Sequence, residues 1–399
     1  MLDVHNDAAP ATTSPSDNEV TRLFAGSMRG KSMALALVAL AFASFALLVW
    51  LKIISPLVRE CASAWSALNA ESAIGDVFET NKHPGTILVK TLDPDLLPRP
   101  AKEKAGSVSR TRRLVFIGDI HGCLVELEAL LQKVRFNVKH DHLIALGDIV
   151  SKGPDSLGVI DLLRRYNASC VRGNHDDRLL MVARSLHSKP GKMSNGLGPK
   201  SHSDPAAEAN DPVKRMAKSL STRQLEYLQS CPIILRIGHL KAFNGDAVAV
   251  HAGIVPGLGL ESQDPVSAMN LRVIDLKTHM PSHKHKLRGS VAWYKLWNRY
   301  QQLLDLHKRF CKHKGRESER HTTVVYGHNA REGLQIRKYT KGLDTGCVKG
   351  GKLTALVVDG DGKQEIVQVK ARHYKHKSAL QVDVLRDGGL ETPASETSS

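Results

Sequence analysis

No Cys-X-X-Cys pair occurs in the sequence, which excludes a zinc ribbon and a thioredoxin-type redox motif. The six cysteines, Cys61, Cys123, Cys170, Cys231, Cys311 and Cys347, are spaced too widely to read as a disulfide framework. They leave the redox compartment open. Aromatic residues make up only 5% of the chain, which argues against a lectin-like surface or a base-stacking platform. No internal repeat is visible, so there is no repeat array to consider.

What is present bounds the answer differently. The 399 residues, 42% of them hydrophobic, suffice for one large α/β domain with appendages or for two ordinary domains. The formal net charge is +16 and the sequence pI is about 9.6. So basic a chain attracts polyanions such as nucleic acid, anionic lipid or polyphosphate, and its charge says nothing about fold.

Residues Met33 to Leu51 read MALALVALAFASFALLVWL, with Ser44 as the sole polar side chain. At about 1.5 Å per residue this run can cross a ~30 Å hydrocarbon layer. Trp50 stands where an interfacial aromatic belongs. The preceding polar stretch is long for a signal peptide, and the run exceeds the roughly 7–15 apolar residues of a signal core. A buried globular helix would carry a polar stripe, and none is visible. Arg22, Arg29 and Lys31 precede the run, whereas Lys52 and Arg59 follow it. This slight bias predicts a cytosolic N-terminus and a catalytic domain facing a lumen, with a cytoplasmic placement as the alternative. Asn167-Ala168-Ser169 is an acceptor triplet for glycosylation in such a lumen.

The expected organisation is a disordered cytosolic tail at 1–30, an anchor at 33–51 and a linker at 52–111. A catalytic domain follows at 112–372, with insertions at 187–220 and 271–321, and then a disordered tail at 373–399. From Arg112 strands and helices alternate, which predicts an α/β fold with right-handed crossovers and a largely parallel sheet.

Five short segments stand at predicted strand ends: GDIHG (118–122), GDIVSKGPDS (147–156), RGNHDD (172–177), VHAGI (250–254) and YGHNAREG (326–333). In each, a strand runs out beside a Gly that lets the backbone turn and an Asp, Asn or His, the Gly coming first in four of them and after His251 in VHAGI. Ligands of open α/β sheets bind beyond the carboxyl ends of the strands, where these residues would converge. Asp119, His121, Asp148, Asn174, His251 and His328 are candidate ligands of borderline divalent ions: zinc, manganese, iron or cobalt. Six are too many for one tetrahedral ion with an open position and fit two ions sharing a carboxylate. Each residue alone is weak. Gly-Asp after a strand is usually a turn, and a lone His is usually structural. The ordered set is what carries the reading.

GDIHG, GDIVSKG, GNHD, VHAG and a final GH together resemble the calcineurin-like metallophosphoesterase superfamily, nearest its phosphoprotein phosphatase branch. That branch lacks the second histidine of GHxH, as here, where Asn329 and Ala330 follow His328. The segment GLDTGCVKGGKLTAL (342–356) is similar to the ApaH-like group, which includes diadenosine tetraphosphatases. With its apolar N-terminal run, the chain is also similar to fungal vacuolar endopolyphosphatases of that group. The resemblance spans roughly 112–360 and implies a sandwich of two mixed β-sheets flanked by helices, preceded by a transmembrane helix. It implies Asp119 and His121 on one ion, Asn174, His251 and His328 on the other, and Asp148 bridging. His175 matches the general acid.

Lys152, Arg172 and Arg331 are candidate phosphate-binding cations, although Arg172 could instead brace its loop. Protein phosphatases carry Asp and Arg where Ser151 and Lys152 stand, so what orients His175 is open, and Lys152 can act only as a point charge. Lys349 occupies a position where the ApaH-like segment usually has an aromatic. The basic 271–321 region reads either as a solvated face or as a polyanion-docking surface. The expected function is a metal-dependent phosphoesterase that cleaves phosphoanhydride bonds of inorganic polyphosphate with water activated by two metal ions. Dinucleoside polyphosphate hydrolysis, protein dephosphorylation and a non-catalytic polyanion binder are the alternatives. The partners are a phosphorylated or polyphosphate substrate and a membrane, with no specific nucleic acid.

Overall fold

A computed structural model describes residues 33, 35–67, 85–99, 103–104, 107–108, 112–187, 211–310 and 321–374. The tail expected at 1–30, most of the insertion expected at 187–220, and the residues from 375 onward lie outside the described residues.

Two units divide the chain at Arg59 and Glu60. The apolar run forms a helix, Leu35–Ser66, of 32 residues and mean hydropathy 2.4 in its most apolar stretch. That is long and apolar enough to cross a membrane. It continues past Leu51, where a linker was expected, because Ile53, Ile54, Leu57 and Val58 carry the apolar pattern onward. A wider π turn at Trp50–Ile54 lies just before Pro56, which cannot donate a backbone hydrogen bond.

In the second unit the strands, in chain order, are β1 (Val89–Thr91), β2 (Glu103–Lys104), β3 (Ser107–Val108), β4 (Arg113–Ile117), β5 (Asp141–Ala145), β6 (Ser169–Cys170), β7 (Ile234–Leu240), β8 (Gly245–Val250), β9 (Val273–Asp275), β10 (Pro281–Ser282), β11 (Ser290–Ala292), β12 (Thr322–Tyr326), β13 (Gln335–Ile336), β14 (Thr340–Gly342), β15 (Lys352–Asp359) and β16 (Gln364–Lys370). One large sheet runs β1-β7-β8-β12-β14-β13 and the other β16-β15-β4-β5-β6.

Both large sheets are mixed, as the family resemblance implied, and not largely parallel as the strand–helix alternation alone suggested. Pairs β4/β5, β5/β6 and β8/β12 are parallel, whereas β7/β8 and β15/β16 are antiparallel. The physical reason is connection length. Only Lys241–Asn244 separate β7 from β8, too few residues for a crossover, and left-handed Asn244 closes the turn. The expected linker is corrected too, since β1 adds to the sheet edge in parallel register with β7.

The core has three layers. Leu114 and Phe116 of β4 pack between the sheets with Ile144, Leu235, Ala249 and Val325. Val115 and Ile117, on the opposite face of the same strand, pack under helices with Leu127, Leu130 and Leu163. Beyond the other sheet, Trp293, Leu296 and Trp297 of the helix Trp293–Phe310 cover Val248, Val250 and Val324. Their spacing puts them on one helical face. Within the region expected as an insertion, Leu271, Ile274, Val291, Trp293, Tyr294, Leu296 and Trp297 are buried in this core, whereas 283–289 are exposed. At the other end of the domain, His373 and Tyr374 were assigned to the disordered tail, yet Tyr374 donates from its hydroxyl to buried Glu126.

Cys170 and Cys231 form a disulfide across 61 residues. The sequence spacing did not suggest this pairing, because the fold brings the end of β6 beside the end of the helix Thr222–Ser230.

Candidate metal centre

The strand-end loops carry their polar residues on unusual backbone. His121, Asp148 and His328 are left-handed, with φ of 48°, 49° and 67°. Such conformations cost about 1–3 kcal/mol each in non-glycine residues and persist only where the surroundings impose them. Two glycines show what imposes them. A Cβ on Gly173 would lie 2.2 Å from the Asp148 backbone nitrogen, and one on Gly327 would lie 2.1 Å from Asp119 Oδ1. Asn174 is not at a strand end but in the first turn of the helix Asn174–His187, three residues beyond Val171.

These loops converge. Asp148 Oδ2 stands 3.3 Å from His121 Nε2, and Asp148 Oδ1 stands 3.3 Å from His251 Nε2. His251 Nε2 is also 3.2 Å from Asn174 Oδ1 and 3.2 Å from His328 Nδ1. Asp119 Oδ2 approaches His121 Nε2 to 4.0 Å, and its Oδ1 accepts from the His328 backbone at 2.9 Å.

Tautomers follow from the outer contacts. His251 Nδ1 donates to the Leu146 carbonyl at 2.8 Å and His121 Nδ1 to the Val150 carbonyl at 3.1 Å. In both rings Nε2 is therefore the lone-pair nitrogen, and it faces oxygens that are themselves acceptors, with Lys152 Nζ also 3.0 Å from that of His121. His328 Nε2 is buried with no hydrogen-bond partner. Acceptors held 3.2–3.3 Å apart cannot bond one another. Ligands of one tetrahedral or octahedral ion with bonds of about 2.1 Å stand roughly 3.0–3.4 Å apart. The six residues fit two divalent cations, one in the nest of Asp119, His121 and Asp148, the other among Asp148, Asn174, His251 and His328. The two oxygens of Asp148 face one nest each.

The electrostatics agree. Burial raises Asp119 well above the carboxylate range, with Asp344 and Asp148 adding to the shift. Burial also raises Asp148, against the pull of His175 and Lys152. It lowers His251 to about 4 and pushes His121 and His328 far below the usual imidazole range. These are neutral imidazoles and carboxylates short of positive charge.

His175 borders the nests, its ring edge-on to His121 at 5.0 Å between centroids. Its backbone N–H donates to Asp148 Oδ1 at 3.0 Å. Ser151, where protein phosphatases carry Asp, is left-handed, and its backbone bonds to Ser156 Oγ. Asp176, two residues past Asn174, accepts from the backbone N–H groups of Ile149, Val150 and Gly173 and ties two of the loops together. Burial raises its carboxyl to about 7.

A cleft of ≈ 580 Å³ opens over the nests. Lys152 and Arg331 line it, as the sequence suggested, and Lys152 Nζ lies 3.0 Å from His121 Nε2. Arg172 does not line it. Its side chain is fully buried and donates to the Gln229 carbonyl, Asp177 and Thr86, so it braces the loop. Arg272, His285 and Asp344 in the cleft wall were not singled out by the sequence, although the first two lie in the basic 271–321 region expected either as a solvated face or as a polyanion-docking surface. Asp344 ends β14 in the same way that Asp119 follows β4, a signal that was present in GLDTG. Arg272 and His285 arrive from the basic 271–321 region through the sheet β10-β9-β11, and no local pattern marks them. Among the described residues no Phe, Tyr or Trp lines the cleft.

Residues 112–348 match the family profile described as calcineurin-like phosphoesterase. A zinc-dependent endopolyphosphatase of Saccharomyces cerevisiae is 29% identical over 281 residues, covering 65% of this chain and 81% of that one. A symmetrical bis(5'-nucleosyl)-tetraphosphatase of Nitrosospira multiformis is 28% identical over 273 residues, covering 60% and 90%. Among solved structures, one described as a candidate diadenosine tetraphosphatase matches with a TM-score of 0.50 at 30% identity, covering 71% of this chain and 98% of that one.

Proposed function

The chain belongs to the calcineurin-like phosphoesterase family, metal-dependent phosphatases that use two divalent ions, and from that premise we propose that it cleaves phosphoanhydride bonds within inorganic polyphosphate at the lumenal face of a membrane. One observation carries the choice of substrate. Among the described residues the cleft wall combines Lys152, Arg272, His285, Arg331 and Lys349 with no Phe, Tyr or Trp. Polyphosphate is a chain of anions without bases, and such a wall offers it cations in series. A dinucleoside substrate gains most from stacking its bases, and among the described residues the wall offers no Phe, Tyr or Trp ring for that.

In this reading Asp119, His121, Asp148, Asn174, His251 and His328 hold the two ions. Bound there, the ions supply Lewis acidity and lower the pKa of water. Lys152, Arg272 and Arg331, which line the cleft, bind phosphate oxygens and take charge that develops on them. His175 protonates the leaving oxygen, a role worth about 10²–10⁴-fold. Burial lowers its pKa while the nearby Asp148 carboxylate raises it, so the two influences oppose each other.

The apolar helix supports membrane attachment. The Cys170–Cys231 disulfide supports an oxidising, lumenal setting for the domain, with a vacuole as the acidic compartment of that kind. Dinucleoside polyphosphate hydrolysis is the second reading, favoured by the similarity to symmetrical tetraphosphatases. A substrate panel separates the two. Long polyphosphate should shorten on a gel in the presence of zinc, manganese or cobalt, at concentrations where diadenosine tetraphosphate is untouched. The reverse preference would overturn the polyphosphate reading.

A further inference from the structure

We propose that Asn167 carries an N-linked glycan. This rests on the lumenal reading above and adds to it a covalent site on the face away from the cleft. Asn167-Ala168-Ser169 is the one Asn-X-Ser/Thr triplet in the sequence. A triplet alone says little. Its placement says more.

Asn167 lies in the turn between the helix Ser156–Arg165 and β6. It is exposed, and its φ of 49° is a left-handed conformation that Asn tolerates and that turns the chain outward. Its backbone N–H is satisfied by the Arg164 carbonyl, and among the described residues no hydrogen bond engages its carboxamide. Asn167 precedes the N-terminal end of β6, whereas Asn174 lies beyond the C-terminal end of that strand. A glycan here therefore leaves the cleft free.

The second observation is independent. Cys170, directly after the triplet, is closed to Cys231. A buried disulfide of this kind forms in an oxidising compartment, the same setting in which glycans are transferred to asparagine. In that reaction the Asn167 amide nitrogen forms a bond to the anomeric carbon of a polyprenyl-pyrophosphate oligosaccharide. The carbon–oxygen bond to the pyrophosphate breaks, polyprenyl pyrophosphate leaves, and the amide nitrogen loses one proton.

The test uses the full chain, made with its apolar helix in a eukaryotic host and kept in membranes. Peptide N-glycosidase should give one downward shift on a denaturing gel, which N167D abolishes and S169T retains, with metal-dependent hydrolysis unchanged. N167D suits the left-handed turn, so loss of fold does not confuse the result. A reporter triplet is built in the exposed β15–β16 turn by D361N with K363T, where the turn is held by Asp359 accepting from both backbone N–H groups. A shift in the reporter but none in the native chain would overturn the glycan and leave the lumenal reading intact. No shift in either would overturn both.

Discussion

Consider opening the Cys170–Cys231 bridge by the double substitution C170A/C231A. The bridge closes a loop of 61 residues that contains Asn174, His175 and the helix Asn174–His187. In the chain-entropy account a loop of that length restricts the unfolded chain by about 14 cal/mol/K, or about 4 kcal/mol at 25 °C. The two small side chains leave only minor voids, so the entropic effect should dominate. For a domain of this size about 4 kcal/mol corresponds to a fall of roughly 8–16 °C in the melting midpoint. The assay is thermal or urea unfolding of the metal-loaded catalytic domain, with and without the substitutions, beside the unsubstituted protein in excess dithiothreitol. Dithiothreitol should move the parent midpoint toward that of the double variant and leave the variant where it is. An unchanged midpoint in both cases would refute the argument. It would mean that packing of β6 against the helix Thr222–Ser230 suffices, and it would also remove a support for the oxidising compartment.

Three further expectations follow from the same geometry. H175A should lower turnover by about 10²–10³-fold while both ions remain by elemental analysis, and loss of the ions would contradict the role given to His175. R172A should destabilise the fold by about 3 kcal/mol or more, by leaving the Gln229 carbonyl and Asp177 without their buried partner. Its KM for polyphosphate should be unchanged at temperatures where the variant is folded, and a raised KM would return Arg172 to the cleft. His142 is buried, bonded through Nε2 to Ser169 Oγ, and lowered by burial to about 4. Its folded pKa lies below the unfolded value of about 6.5, so its contribution is complete above pH 6.5 and is lost as pH falls toward 4. The loss is at most roughly 3 kcal/mol, and H142Q should flatten the fall of stability across that window in urea titrations.

The site was legible in the sequence because its logic is local. A strand end, a glycine and a polar residue stand within a few consecutive positions, although the close approaches that make Gly173 and Gly327 necessary are to Asp148 and Asp119 of other motifs. The helices were legible through the spacing of Leu127, Leu130 and Leu131, or of Val159, Leu162 and Leu163. What could not be read was set by contacts distant in sequence. Whether Arg172 faces phosphate or the Gln229 carbonyl depends on a helix more than fifty residues away. Pairing of Cys170 with Cys231 depends on the same helix. The antiparallel returns were within reach, since a turn as short as Lys241–Asn244 admits no crossover, but the periodicity of β7 and β8 does not encode their direction. β1 was hidden because a three-residue edge strand has too few positions to show alternation.

The glycines around the bridging aspartate have a further meaning. Enzymes are usually disabled by deleting a functional group, but here the vulnerable quantity is space. One methyl at position 173 would drive into Asp148, and one at position 327 would strike Asp119. G173A should displace the Asp148 backbone and G327A the Asp119 carboxylate, so elemental analysis should find fewer bound ions although every ligand side chain is retained. The pocket is shaped as much by side chains the chain does without as by those it has.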